Sequence, residues 1–275
     1  MDLTLLLPGE ILNMAVVLVC HRWKDEGEDP RLWDWIDEIR VTPANLSMIP
    51  AVLGWRRLQA VRRIGVWAVS EELLEAVVGM EGVKEMHFSV WEEGGLSTVN
   101  PAVLATAVTK VETLSLWCKL TKDQLQAITA GSRLKSLNTD AVDIDIDIAD
   151  AHILASAVSR LITVTLHRLS KDQSEALFSA MREGTELKTL KLWHSDLSSV
   201  DPHLVASGLN KLETVNLHGS KLTRIQWEAL LTGISQHSQL KHLRINSSLS
   251  PVDPLILASA LTRLQTVGLA FSHLT

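Results

Sequence analysis

One segment recurs along this chain, and the recurrence limits what it can fold into. It reads LKTLKLWHSDLSSVDPHLVASGLNK over 187–211 and LETVNLHGSKLTRIQWEALLTGISQHSQ over 212–239. Segments of the same kind open at Val83, Val111, Leu134, Leu161, Leu240 and Leu264, and a poorer one opens at Leu58; successive openings lie 23 to 28 residues apart. A unit of this size cannot bury its apolar face alone and must stack on its neighbours. The chain therefore reads as a solenoid. Stacked units present a long concave surface, suited to gripping another macromolecule, with no evident pocket for chemistry.

Within each unit apolar residues occupy the first, fourth and sixth positions, as in Leu187, Leu190 and Leu192, or Leu212, Val215 and Leu217, or Val111, Leu114 and Leu116. Positions four to six alternate like a short strand with one buried face. A helix follows, and its start signal takes two forms. One is a capping residue before proline: Thr42-Pro43, Asn100-Pro101, Asp201-Pro202 and Asp253-Pro254. Such a side chain accepts an orphan N–H, and proline has none to satisfy. The other is a capping box: Thr121 with Gln124, Ser170 with Gln173, Thr223 with Gln226. The forms alternate, so the true unit is a pair of repeats, as in Leu134 to Leu187 to Leu240. Ala105, Ala155, Ala206 and Ala258 are expected to let each helix lie close to the sheet.

These features resemble the leucine-rich repeat family in its ribonuclease-inhibitor-like form. The resemblance covers roughly Ile39 to the C-terminus. It implies an α/β horseshoe, with a parallel sheet on the concave side, helices on the convex side and a small helical N-terminal cap. The family places Asn or Cys at the ninth position of the unit, where Ser195, Ser220 and Ser272 stand here. Units opening at Val111 and Leu161 are one and two residues short in that turn, so irregular or strained backbone is expected there.

The N-terminal segment carries LPGEIL from Leu7, VCHRWK from Val19 and DPRLW from Asp29. These resemble an F-box, shortened between Leu12 and Val19 by about three helical turns. The resemblance implies binding of the adaptor Skp1 through Leu7, Pro8, Ile11, Leu12 and Trp23, with substrates delivered to a cullin ubiquitin ligase. The alternative is that residues 1–38 only cap the array of 39–275, with Trp23, Trp33 and Trp35 as packing residues.

Composition narrows the partners. The chain is 46% hydrophobic, 21% charged and carries a formal net charge of −6, which argues against nucleic acid as the main partner. The basic cluster Arg56, Arg57, Arg62 and Arg63 reads as a solvated face. Two cysteines, Cys20 and Cys118, rule out a disulfide framework and fit a reducing, intracellular compartment. The apolar run at 14–20 is too short to span a bilayer, and Asp2 and Glu10 speak against a signal peptide. The glycosylation triplets at Asn45 and Asn246 then read as chance matches.

No sequence motif for nucleophilic, metal or phosphate chemistry appears, so neither enzyme activity nor a cofactor is expected. The acidic run Asp140, Asp143, Asp145, Asp147 and Asp150 lacks the glycine and closing glutamate of a calcium loop and reads as a connector. The concave row is more telling. Seventh positions hold Ser89, Trp117, Asp140, His167, Trp193, His218 and Asn246; fifth positions include His87, Lys191, Asn216 and Arg244. Trp117, His167, Trp193, His218, Lys191 and Arg244 are the candidate contacts for a protein partner. The alternative is that the tryptophans pack on each other or on the turn after the strand.

At the C-terminal end Leu264, Val267, Leu269, Phe271 and Leu274 are expected to form an uncovered layer. Self-association through that end, or continuation of the array, follows from it.

Overall fold

The computed structural model describes residues 38–42, 61–90, 95–118, 120–130, 133–139, 151–246 and 252–269. Ten parallel strands pair in strict sequence order, β1 next to β2 and so on to β10. They are β1 (Glu38–Val41), β2 (Arg63–Val66), β3 (Glu85–Phe88), β4 (Thr113–Leu116), β5 (Ser136–Asn138), β6 (Thr163–His167), β7 (Thr189–Trp193), β8 (Thr214–His218), β9 (His242–Asn246) and β10 (Thr266–Leu269). Among the described residues eight α-helices separate β2 to β10: α1 (Glu71–Val78), α2 (Pro101–Val108), α3 (Lys122–Thr129), α4 (Ala151–Val158), α5 (Lys171–Glu183), α6 (Pro202–Leu209), α7 (Arg224–His237) and α8 (Pro254–Leu261). Consecutive helices touch one another along the array. The result is an α/β repeat arrangement of the solenoid kind.

Strand register follows the expected pattern. First, fourth and sixth positions are buried, with Leu190, Leu192, Val215 and Leu217 all at 0% exposure. The early part of the array shifts this reading. Ile64 pairs with Met86, so the second unit opens at buried Val61 and not at Leu58. Ile39 pairs with Ile64, which adds a strand that the periodicity did not register and places Glu38 inside it. The expected boundary between residues 38 and 39 therefore cuts β1.

The alternation of caps has a structural cause. In α3, Thr121 N–H donates to Gln124 Oε1 (3.1 Å) while Gln124 N–H donates to Thr121 Oγ1 (3.3 Å). The other end of the same amide is buried and donates backwards, to the carbonyls of Leu96 (2.6 Å) and Val99 (2.8 Å) in the preceding repeat. Gln226 in α7 does the same to Leu197 and Val200, both at 2.6 Å. These carbonyls belong to the turn that leads into a proline-started helix, capped by Asn100 or Asp201. One glutamine thus caps its own helix and ties down the turn of its neighbour. The tied turns read LSTVNP and LSSVDP. Helices joined by such a pairing, α2 with α3 and α6 with α7, contact each other more extensively than α3 with α4 or α7 with α8.

Three details differ from expectation. The seventh helix residues Ala107, Ala157, Gly208 and Ala260 lie against the core, in the three helices that start at proline and in α4, which starts at Ala151; Ala206 is buried, as expected. Ala105 and Ala155 are only half-buried and Ala258 is exposed. Positive φ is not confined to the shortened turns. Arg168 (47°) lies in one, but His194 (54°) and Gly219 (64°) hold the same place in full-length units, and Cys118 does not share it. In these three units the eighth residue adopts this conformation to leave the strand. Finally, Leu264 and Val267 are half-buried, whereas Leu212, Leu240, Val215 and Leu243 are at 2% or less. Leu269's side chain, Phe271 and Leu274 lie outside the description.

Candidate functional site

Helices line one side of the sheet. The other side carries the fifth and seventh residues of each unit. Register fixes the fifth-position row as Arg40, Gly65, His87, Ser115, Asn138, Thr165, Lys191, Asn216, Arg244 and Gly268. His167, Trp193, His218 and Asn246 lie side by side in the seventh-position row.

Three of these rings form a stack. His167 lies 5.4 Å from Trp193 with the planes 11° apart, and Trp193 lies 4.5 Å from His218 at 44°. His194 closes the end edge-on to His218 at 5.7 Å. The left-handed turn brings His194 there, over Gly219. A Cβ on Gly219 would stand 2.5 Å from His194 Nδ1, so the residue must be glycine both for its φ and for this contact. Neighbouring strands are about 4.8 Å apart, which is why rings on adjacent strands stack at this distance.

Trp193 and Trp117 are thus in different situations. Trp193 packs on histidines, not on another tryptophan. Trp117 is 39% exposed, and no ring touches it among the described residues. Two strands separate the tryptophans, so the candidate contacts form two patches. Ser115 and Thr165 face the same side yet are 6% exposed, shielded by longer neighbours. Three polar atoms of this face, Asn138 Oδ1, Trp193 Nε1 and Asn216 Oδ1, are buried with no hydrogen-bond partner among the described residues.

Ser195 and Ser220, at the ninth position, satisfy backbone groups in the turns after the strands. Ser195 Oγ accepts from Leu169 N–H at 3.2 Å, and Ser220 Oγ accepts from Ser195 N–H at 3.4 Å while donating to the Leu192 carbonyl at 3.2 Å. In the shorter unit Cys118 holds the matching place, buried, its thiol pushed up to about 12 by desolvation. Burial thus disfavours its thiolate form.

Charge on the strand-entry edge is paired in triplets, two lysines to one glutamate. Glu112 lies between Lys84 and Lys135, and Glu213 between Lys188 and Lys241. The Lys135 ammonium holds Glu112 below the usual glutamate range, and the Lys241 ammonium does the same for Glu213. In contrast, Lys191, Arg168 and Arg244 make no ion pair among the described residues.

Trp67 extends the seventh-position set towards the N-terminus, with Arg40 5.8 Å above its ring. The reading that opened this unit at Leu58 overlooked it; opening at Val61 puts Trp67 in line. Leu7, Pro8, Ile11, Leu12 and Trp23 lie outside the described residues, as do Cys20, Arg56, Arg57, Ser272 and the acidic run from Asp140 to Asp150. Among the described residues no three His, Cys, Asp or Glu side chains are placed to hold a metal ion, and no helix is long and apolar enough to cross a membrane. No family model matches the chain, and no curated protein shows significant similarity to it.

Proposed function

We propose that the chain is a leucine-rich repeat protein without catalytic activity that binds another protein on the open face of its sheet, in a reducing compartment. The carrying observation is the His167–Trp193–His218 stack. Aromatic groups held rigid on a solvent-facing sheet are what protein-binding hot spots are made of. The repeat pattern, the strand–helix alternation and the buried ninth-position serines support the family reading. A photo-crosslinking residue placed at His218 tests it, with a control at Ile225, which is 66% exposed on α7. Adducts from position 218 and none from position 225 are the expected result. Equal adducts from both would refute the site.

A second reading adds a role in ubiquitin transfer. It rests on LPGEIL, VCHRWK and DPRLW in the N-terminal segment. In this reading Leu7, Pro8, Ile11, Leu12 and Trp23 engage Skp1, and the sheet face carries the substrate. Titration calorimetry of the full chain with recombinant Skp1 decides between them. Binding that Leu12→Asp abolishes supports the receptor; no heat leaves a stand-alone recognition scaffold. Self-association through the C-terminal end of the array belongs to the same proposal; Leu264 and Val267 are half-buried there and Leu255 on α8 is 79% exposed. Light scattering over a concentration series is its test, and a strict monomer would refute it.

A further inference from the structure

We propose that the C-terminal half of the open face takes an extended acidic segment of a partner protein, with carboxylates three residues apart. The inference rests on the protein-binding reading above and adds the chemistry of the partner.

Lys191 and Arg244 stand in one register row, on β7 and β9, with Asn216 between them. Two strand spacings separate them, about 10 Å. A polyproline-II segment has three residues per turn and rises about 3.1 Å per residue, so its residues i and i+3 project on one side about 9 Å apart. A segment laid across the strands therefore places every third carboxylate over a cation.

Both cations are unspent. The lysines of the strand-entry edge are held by Glu112 and Glu213, whereas Lys191 and Arg244 make no ion pair among the described residues. On a chain of net charge −6 they form a local positive strip, with exposed Arg168 at its margin. Trp193 lies two residues beyond Lys191 on the same strand. Its stack with His167 and His218 gives the residues between the carboxylates an apolar wall.

The net charge of −6 argues against nucleic acid. Glu213, between Lys188 and Lys241, stands on one side of the strip, and Asp196, 3.7 Å from Lys221, on the other. The Ser198 hydroxyl holds Asp196 below the usual carboxylate range.

The probe is a fluorescein-labelled nonapeptide with glutamate at every third position and proline and leucine between. Its lysine counterpart and a single-stranded oligonucleotide are run beside it against the full chain. The glutamate peptide is expected to bind best and to weaken as salt is raised. K191E/R244E should weaken it about tenfold and reverse the preference towards lysine. K191Q/R244Q should weaken it without reversal, and circular dichroism checks that both variants fold. Equal binding of the two peptides, preference for the oligonucleotide, or indifference to both double variants would overturn the proposal. Peptide display on the full chain separates this failure from the wider one. Charge-indifferent binders lost in Trp193→Ala would leave the open face standing as a protein site. The absence of any binder sensitive to Trp193→Ala would remove both.

Discussion

Residues 83–129 and 187–237 are two copies of one design. Each holds a strand, a turn reading LS-x-V, a proline-started helix, a second strand and a helix opened by a capping box. Each is tied by a buried glutamine, Gln124 or Gln226, and each bears a Lys–Glu–Lys triplet on the strand-entry edge. On the open face they diverge. The first copy shows His87, buried Ser115 and an isolated Trp117; the second shows Lys191, Asn216 and the Trp193–His218 pair. What repeats holds the fold together, and what does not repeat is free to recognise. On the open face the divergence falls at fifth and seventh positions because these are the strand residues that point away from the core.

The largest effects should fall on what the copies share. Leu217→Asp, and its counterpart Leu116→Asp, put a carboxylate in the core, and each is expected to cost about 3–5 kcal/mol in urea unfolding. A mild effect at one site only would mean that the copies are not equivalent. Next come Gln226→Leu and Gln124→Leu. Each strands two buried carbonyls and opens a capping box, for about 2–4 kcal/mol. Matched losses would confirm one shared device; a loss at a single site would break the comparison.

The open face should behave in the opposite way. Trp193→Ala removes two ring contacts and is expected to cost about 2 kcal/mol of stability. Trp117→Ala should cost less than about 0.5 kcal/mol, since its ring meets no other. Equal losses would contradict the two environments. The smallest effect is electrostatic and again shared. Glu112 and Glu213 should both titrate below the ordinary glutamate range in carboxyl-detected NMR. Because their folded pKa values are depressed, their contribution is present above the unfolded value and disappears as pH falls through the folded one. Lys135→Met should return Glu112 towards the ordinary range and leave Glu213 unmoved.

Much of this was legible in the sequence, for identifiable reasons. Positions one, four and six are apolar in nearly every unit because they share one environment, so their period announced the strands. The caps were legible because capping needs particular side chains at fixed offsets. The back-reach of Gln124 and Gln226 was not, although the recurrent LS-x-V before each proline cap was its signature. That bond joins residues 25 to 29 apart, beyond the reach of a local pattern. The early register was misjudged because Leu58 resembles an opening residue as well as Val61 does. Only pairing with β3 distinguishes them. The stack was half visible: Trp193, His167 and His218 share a row on paper, but His194 joins them through a backbone angle that sequence does not display.

The glutamine ties also bear on how the molecule would yield under load. A chain pulled from its two ends does not meet equal joints. Joints within a tied pair carry two short buried bonds and wide helix contact, while joints between pairs carry less. Tension should therefore detach repeats two at a time, each release adding 51 to 53 residues of slack, about 170–190 Å when extended. A recognition surface mounted on such a strip stays intact while neighbouring pairs give way.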